Sequence, residues 1–204
     1  MAEKTLHFTK MHGCGNDYIY INCFEEQVED PEALAIKLSD RHKGIGGDGG
    51  ILICPSEVAD AKMRMFNLDG SEGMMCGNGI RCVAKYLFDN GIAKGKKVGE
   101  GQYMLHIDTK SGIKECVAIT KNGLVSKVTV DMGKAELSPE KIPVRLEGDR
   151  VVDKPISIGG NVYRITCCSM GNPHCTVFVP SVDKLDLEDL GPKFEHDPMF
   201  PERV

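Results

Sequence analysis

The chain predicts an α+β protein, because short strand-like runs dominate it and only a few amphipathic helical stretches interrupt them. Three observations carry that expectation. Residues 77 to 90 place apolar side chains at helical spacing, residues 103 to 131 hold successive strand-like runs, and a strand–turn–strand pattern near the N-terminus recurs near the C-terminus.

Leu6 to Thr9 and Tyr18 to Ile21 read as strands. Between them, Met11 to Asp17 is rich in turn formers and reads as an exposed loop. Asp30-Pro31 opens a helix to about Asp40, with Asp30 as N-cap and Pro31 at the first helical position, where its missing N–H does no harm. Leu34, Ala35 and Leu38 form its apolar face. The glycine-rich segment 44 to 50 reads as a flexible loop before a strand at Ile51 to Cys54, with another strand at 62 to 68 and a turn at Asp69-Gly70-Ser71. From Gly77 to Asn90 the helix presents Ile80, Val83, Ala84, Leu87 and Phe88, and Gly91 follows as a left-handed C-cap. Strand-like runs then cover Tyr103 to Asp108, Lys114 to Thr120 and Val125 to Asp131, and the Pro-containing polar stretch after them reads as a domain boundary. The recurring pattern pairs Gly15-Asn16 with Gly171-Asn172, each between two strand-like runs.

Composition narrows the function. The chain has 204 residues, 41% hydrophobic and 27% charged, with a formal net charge of −5 and no basic face suited to nucleic-acid phosphates. No apolar run reaches the ~20 residues that span a bilayer, and the N-terminus lacks a signal peptide, so a cytoplasmic protein acting on a small molecule is expected, with no nucleic-acid or membrane partner. The nine cysteines are odd in number and irregularly spaced, which argues against a disulfide framework, and the absence of any Cys-x-x-Cys pair argues against zinc. No metal is expected. Gly44, Gly46 and Gly49 formally spell a dinucleotide fingerprint, but it follows a helix and precedes a strand, the wrong context for holding pyrophosphate.

Cys76 stands at the start of the clearest helix. Unpaired N–H groups and the positive end of the helix dipole favour a thiolate there and lower a thiol pKa from about 8.5 towards neutrality. Gly77 and Gly79 let a ligand approach the backbone, whose N–H groups can hold a carboxylate. Asn16, Asn67, Asn78 and Asn172 lie at strand ends or turns and, as amides that both donate and accept, suit a zwitterionic amino acid. His174, after Asn172-Pro173, is the histidine best placed to tune a thiolate.

Five motifs in this order resemble those of the diaminopimelate epimerase family: His12-Gly13-Cys14-Gly15-Asn16-Asp17-Tyr18, the run Arg41 to Gly49, Phe66 to Glu72, Met75-Cys76-Gly77-Asn78-Gly79-Ile80-Arg81-Cys82, and Ser169 to His174. The resemblance implies two pseudo-symmetric α+β domains, each a curved mixed sheet around a central helix. Residues 1–135 would carry Cys76, and 136–204 would begin the second domain. It also implies epimerisation of LL-2,6-diaminopimelate to the meso form in the route to lysine and peptidoglycan, by paired cysteine thiols without pyridoxal phosphate or any other cofactor, commonly in a homodimer. Cys76 would be one catalytic cysteine, Asn16, Asn67, Gly77, Asn78 and Asn172 substrate-contacting positions, and His174 a modulator of the thiols. Gly49 departs from the pattern, since some members carry glutamine there, and leaves that substrate contact unassigned.

The family's second cysteine lies in a Gly-Glu-Thr-x-x-Cys-Gly-type motif that does not occur here, and the offset relating the two Gly-Asn pairs carries Cys76 past Val204. The chain is therefore expected to be a fragment, inactive as it stands. Rival readings are a proline-racemase-like or phenazine-biosynthesis-like isomerase, a thiol hydrolase with Cys76 as nucleophile and His174 as base, and a non-catalytic amino-acid-binding module.

Overall fold

The computed structural model describes residues 5–204. Two units are resolved, the first ending at Met132 and the second running Gly133–Val204.

The first unit begins with β1 (Thr9–Gly13) and β2 (Asn16–Asn22), followed by α1 (Pro31–Ser39), β3 (Gly49–Cys54), β4 (Ala61–Asn67) and the two-residue β5 (Glu72–Gly73). After these come α2 (Gly77–Asp89), β6 (Lys96–Gly99), β7 (Gln102–Asp108), β8 (Lys114–Lys121) and β9 (Leu124–Val130). These strands form one mixed sheet in the order β1-β2-β3-β4-β7-β8-β9, with β5 on β4 and β6 on β7. The β2–β3 and β4–β7 pairings are parallel and the rest antiparallel.

Side-chain alternation gives the sheet its two faces. Tyr18, Tyr20, Ile51, Ile53, Met63, Met65, Leu105, Ile107, Cys116 and Ala118 turn inward and meet Ile80, Val83, Ala84 and Leu87 of α2. That helix touches β1 and β2 at one end of the strand order and β8 and β9 at the other, so the sheet curls around it. On the outer face Ile21, Leu52 and Phe66 pack with Ala35, Leu34 and Leu38 of α1. Asp30 caps α1 by accepting from Ala33 N at 3.0 Å, and Asn90 and Gly91 (φ 68°) close α2.

The first hairpin differs from the reading of its sequence. The stretch expected as a loop is mostly strand, β1 begins at Thr9 instead of Leu6, and only Cys14-Gly15 turns the chain. Both residues have positive φ, 55° and 88°, the two-residue turn whose twist matches paired strands. Segment 44 to 50 is also not the flexible loop expected from its glycines. Gly46 and Gly47 are buried, Lys10 Nζ donates to the Gly46 carbonyl, and Arg41 bonds both Asp17 and Asp48.

The second unit holds β10 (Lys154–Ile158), β11 (Asn161–Ser169), β12 (Pro173–Val177) and α3 (Leu187–Glu195). Its three strands form an antiparallel sheet, β10-β11-β12, over a core of Ile142, Val144, Val151, Ile156, Ile158, Ile165, Cys167 and Phe200. Gly159-Gly160 makes the first turn with both φ positive. The second spans residues 170 to 172 with Gly171 at φ 111°, one residue longer than its counterpart at Cys14-Gly15.

Candidate active site

Cys76 is the N-cap of α2. Its backbone is extended (φ −127°, ψ 112°), and its Sγ accepts from Gly79 N at 3.3 Å, the bond a capping oxygen would accept. Inside the first turn the N–H groups of Gly77 and Asn78 have no intrahelical acceptor, which leaves two donors beside the sulfur. A Cβ on Gly77 would meet only Met132, at 3.5 Å, so this stretch of backbone is open. Gly79 serves packing instead of ligand approach, because a Cβ there would stand 2.5 Å from Ile51 Cδ1.

Strand β2 supplies the opposing side chains. Its start places Asn16, Tyr18 and Tyr20 on one face by the two-residue repeat, and that face meets the first turn of α2. Asn16 Nδ2 donates to Cys76 Sγ at 3.6 Å, and Tyr20 donates its hydroxyl to Gly79 O at 3.5 Å. Between them Tyr18 is buried in the inner cluster against which Cys76 packs. Burial, and next the charge of the neighbouring sulfur, push the Tyr18 phenol well above its usual range, so it stays protonated. Tyr18 was not singled out in the sequence. The signal that would have found it is its place two residues after Asn16 in a strand.

Asn78 turns its Oδ1 to Arg81, which donates to it at 2.6 Å and to Cys14 Sγ at 3.5 Å. Asn67 ends β4 and donates from Nδ2 to Ser71 Oγ at 3.0 Å. It pairs in register with Gly49, whose Cα side faces the Tyr18 ring, so Asn67 stands one strand from the Cys76 cluster. Gly49 has φ 153°, and a Cβ would collide with the Phe66 carbonyl oxygen. The pairing of β3 with β4 thus excludes any larger residue, glutamine included, in this backbone conformation.

Asp17, next along β2 from Asn16, is clamped by Lys10 and Arg41, each at 2.7 Å, which hold its carboxyl far below the usual carboxylate range, the Arg41 hydrogen bond contributing most. Asp17 N donates to Asp48 Oδ2 at 3.0 Å and Asp48 N to Asp17 O at 2.6 Å, so the glycine-rich segment is tied to the strand that carries Asn16.

Asn172 and His174 lie in the second unit, in the turn before β12 and on that strand, both exposed, with His174 opposite Cys168 on β11. An apolar groove of this unit, lined by residues such as Tyr163, Val177, Leu190 and Phe194, offers walls ill suited to a zwitterion. Among the described residues no group of three or more His, Cys, Asp or Glu side chains is gathered to hold a metal, and no helix is long and apolar enough to cross a membrane.

The family model for diaminopimelate epimerase matches residues 8–138, a span that includes both the β2 face and the Cys76 helix start. The chain belongs to the diaminopimelate epimerase family. The diaminopimelate epimerase of Acetivibrio thermocellus is 51% identical over 199 residues, covering 98% of this chain and 69% of that protein. That of Desulfovibrio desulfuricans is 50% identical over 205 residues with the same coverage. The diaminopimelate epimerases are isomerases, and both strand β2 and the helix start at Cys76 fall within the matched span. Among solved structures, a probable proline racemase from Agrobacterium radiobacter is similar with a TM-score of 0.60 at 17% identity, over 92% of this chain and 53% of that one. A predicted epimerase from Pseudomonas aeruginosa gives a TM-score of 0.57 at 15% identity, over 92% of this chain and 67% of that one. These likenesses place the chain's α+β architecture with the racemase and epimerase folds.

Proposed function

We propose that the chain serves the epimerisation of LL-2,6-diaminopimelate to the meso form in the cytoplasm, on the route to lysine and peptidoglycan, by a two-thiol mechanism in which Cys76 is one thiol. The observation that carries this reading is the Cys76 sulfur held at a helix N-cap, 3.3 Å from Gly79 N and 3.6 Å from Asn16 Nδ2. A thiolate there takes the α-proton, and the unpaired N–H groups of Gly77 and Asn78 receive the substrate carboxylate as negative charge develops on it. No pyridine ring is then required, because the carbanion is stabilised through the carboxylate.

Inversion demands a second acid on the far face of the α-carbon, since one base would return the proton to the side it left. A second thiol fills that role in this reading. Asn16, Asn67 and Asn78 on residues 1–135, and Asn172 on residues 136–204, hold the polar ends of the substrate, and His174 modulates the thiols. The active protein is a homodimer.

Removal of the α-proton alone needs only the first thiol, which makes solvent exchange the decisive assay. Incubation with LL-diaminopimelate in D2O, followed by NMR, is expected to show loss of the α-proton signal with the wild-type chain and not with Cys76→Ser, while proline stays unexchanged. Exchange that survives Cys76→Ser, or no exchange by the wild-type chain, overturns the reading.

A further inference from the structure

Strands β11 and β12 set two thiols opposite each other: Cys167 and Cys175 are Cα partners in the antiparallel ladder. The hydrogen bonds around them show which kind of pair this is. Cys167 N donates to Val151 O at 2.9 Å, and two residues along the strand Ser169 exchanges both of its backbone bonds with Glu136. At these positions β11 therefore turns its N–H groups away from β12. On the β12 side Ser169 faces Pro173, which has no N–H to offer. Cys167 and Cys175 thus form a non-hydrogen-bonded pair, the arrangement in which opposite Cα atoms come within about 4.5 Å and side chains stand closest. Such a separation lies at the near end of the range that a disulfide spans.

Both side chains leave the sheet on the face that carries the core of the second unit, where Cys167 is buried and Cys175 packs against the same cluster. The two differ in access. Cys167 is 1% exposed, whereas Cys175 is half-buried and helps to line the apolar groove beside Tyr163, Val177 and Phe194. A small reagent entering that groove, whose volume is about 460 Å³, meets Cys175 before Cys167. Cys168, the next residue on β11, points to the other face, opposite His174, and cannot take the place of Cys167. All three cysteines carry free thiols, and the proposed epimerisation uses none of them.

We propose that Cys167 and Cys175 are a redox-active dithiol, which a small peroxide oxidises to a disulfide bridging β11 and β12. Cys175 reacts first. Its sulfur attacks one peroxide oxygen, the O–O bond breaks, and the departing hydroxyl takes the thiol proton and leaves as water, so that Cys175 becomes a sulfenic acid. The Cys167 sulfur then attacks the Cys175 sulfur, the S–O bond breaks, and the hydroxyl leaves with the Cys167 proton as a second water. In total the two thiols lose two electrons and the peroxide gains them. The bridge closes the hairpin whose turn carries Asn172, and it stands whether or not Cys76 is the epimerase base.

Differential alkylation of the wild-type chain tests this without any substitution. Hydrogen peroxide is raised until the exposed Cys14 is oxidised, catalase stops the reaction, and N-ethylmaleimide in urea then labels every thiol that remains. Trypsin releases residues 165–184 as one peptide holding Cys167, Cys168 and Cys175, so Cys168 is an internal control. The expected peptide carries label on Cys168 alone and, apart from any oxygen on Met170, is short of two hydrogens, with both missing labels restored by dithiothreitol. Oxidation in urea is expected to lose this choice of partner, because Cys168 and Cys167 then close loops of nearly equal length to Cys175. Cys175 carried on to sulfinic acid while Cys167 still takes label overturns the proposal. So does a bridge through Cys168 in the folded chain, or label on both members of the pair once Cys14 has been oxidised. A preference for Cys167 that persists in urea would also sink it, since the strands would then not be selecting the partner.

Discussion

Gly13 rests against the Asn78 carbonyl: a Cβ at position 13 would stand 2.7 Å from that oxygen. Through this contact the end of β1 abuts the first turn of α2, and the hairpin that presents Asn16 is seated on the helix that presents Cys76. Both sides of the contact are backbone, so neither can yield by a rotamer change. Gly13→Ala is expected to cost about 1–3 kcal/mol, the usual penalty of overpacking. Gly77→Ala, at the residue just before Asn78, should stay within about 1 kcal/mol of wild type, since its Cβ meets only Met132 at 3.5 Å and alanine favours helix. Urea denaturation of the two variants checks the contrast, and equal losses would mean that the hairpin is not seated as described.

Cys76 caps α2, and in the proposed mechanism it is also the base; one substitution separates the two roles. A serine oxygen caps a helix at least as well as sulfur does, so Cys76→Ser should hold its stability within about 1 kcal/mol of wild type. Its hydroxyl is a far poorer base, and α-proton exchange with diaminopimelate should fall at least about 100-fold. Thermal melting and the exchange assay, run on one preparation, test both halves.

Asp17 joins Lys10, Arg41 and the glycine-rich segment. Its carboxyl is held far below the ordinary value of 3.8 in the folded chain. The stabilisation from this clamp is therefore complete above about pH 4 and lost progressively as pH falls below it, when the unfolded chain binds a proton that the folded one refuses. Arg41 is 56% exposed, and solvent screening trims the effect, so Asp17→Asn is expected to lose about 1–2 kcal/mol at neutral pH. The gap between variant and wild type in urea titrations should narrow in acid. A gap that widened below pH 4 would contradict the assignment.

Cys116 lies in the inner face of β8 with no exposed surface, and burial pushes its thiol up to about 12. At mildly alkaline pH it is neutral and unreachable. Iodoacetamide should label Cys14 quickly and Cys116 only at the rate of global unfolding, which a peptide-resolved time course with and without denaturant measures. Prompt labelling of Cys116 would place it outside the core.

Much of this was legible along the chain. Asp30 as a cap, Leu34, Ala35 and Leu38 as a face, Ile80 to Phe88 as one stripe and Gly91 as a stop are local signals within a few turns, and the two helices follow from them. The Cys76 helix start was readable for the same reason: a cap is a property of consecutive residues. The Asn-rich motifs named their residues but not their partners, and the turn chemistry of Cys14-Gly15 was visible only as a wider loop, because several turn formers in a row do not say which pair turns.

Contacts distant in sequence belong to the tertiary structure alone. The parallel pairings of β2 with β3 and of β4 with β7 curl the sheet around α2, and nothing in either strand announces its partner, since any alternating run can pair with any other of its length. That curl decides that Asn16 meets Cys76, that Gly49 must lack a side chain to clear Phe66, and that an apparently loose glycine segment is pinned by Lys10 and Arg41. Sequence by itself determined which residues could act as cap, base or amide. Only the closure of the sheet determined which of them meet, because proximity across strands is set by the packing of the whole unit and not by any stretch within it.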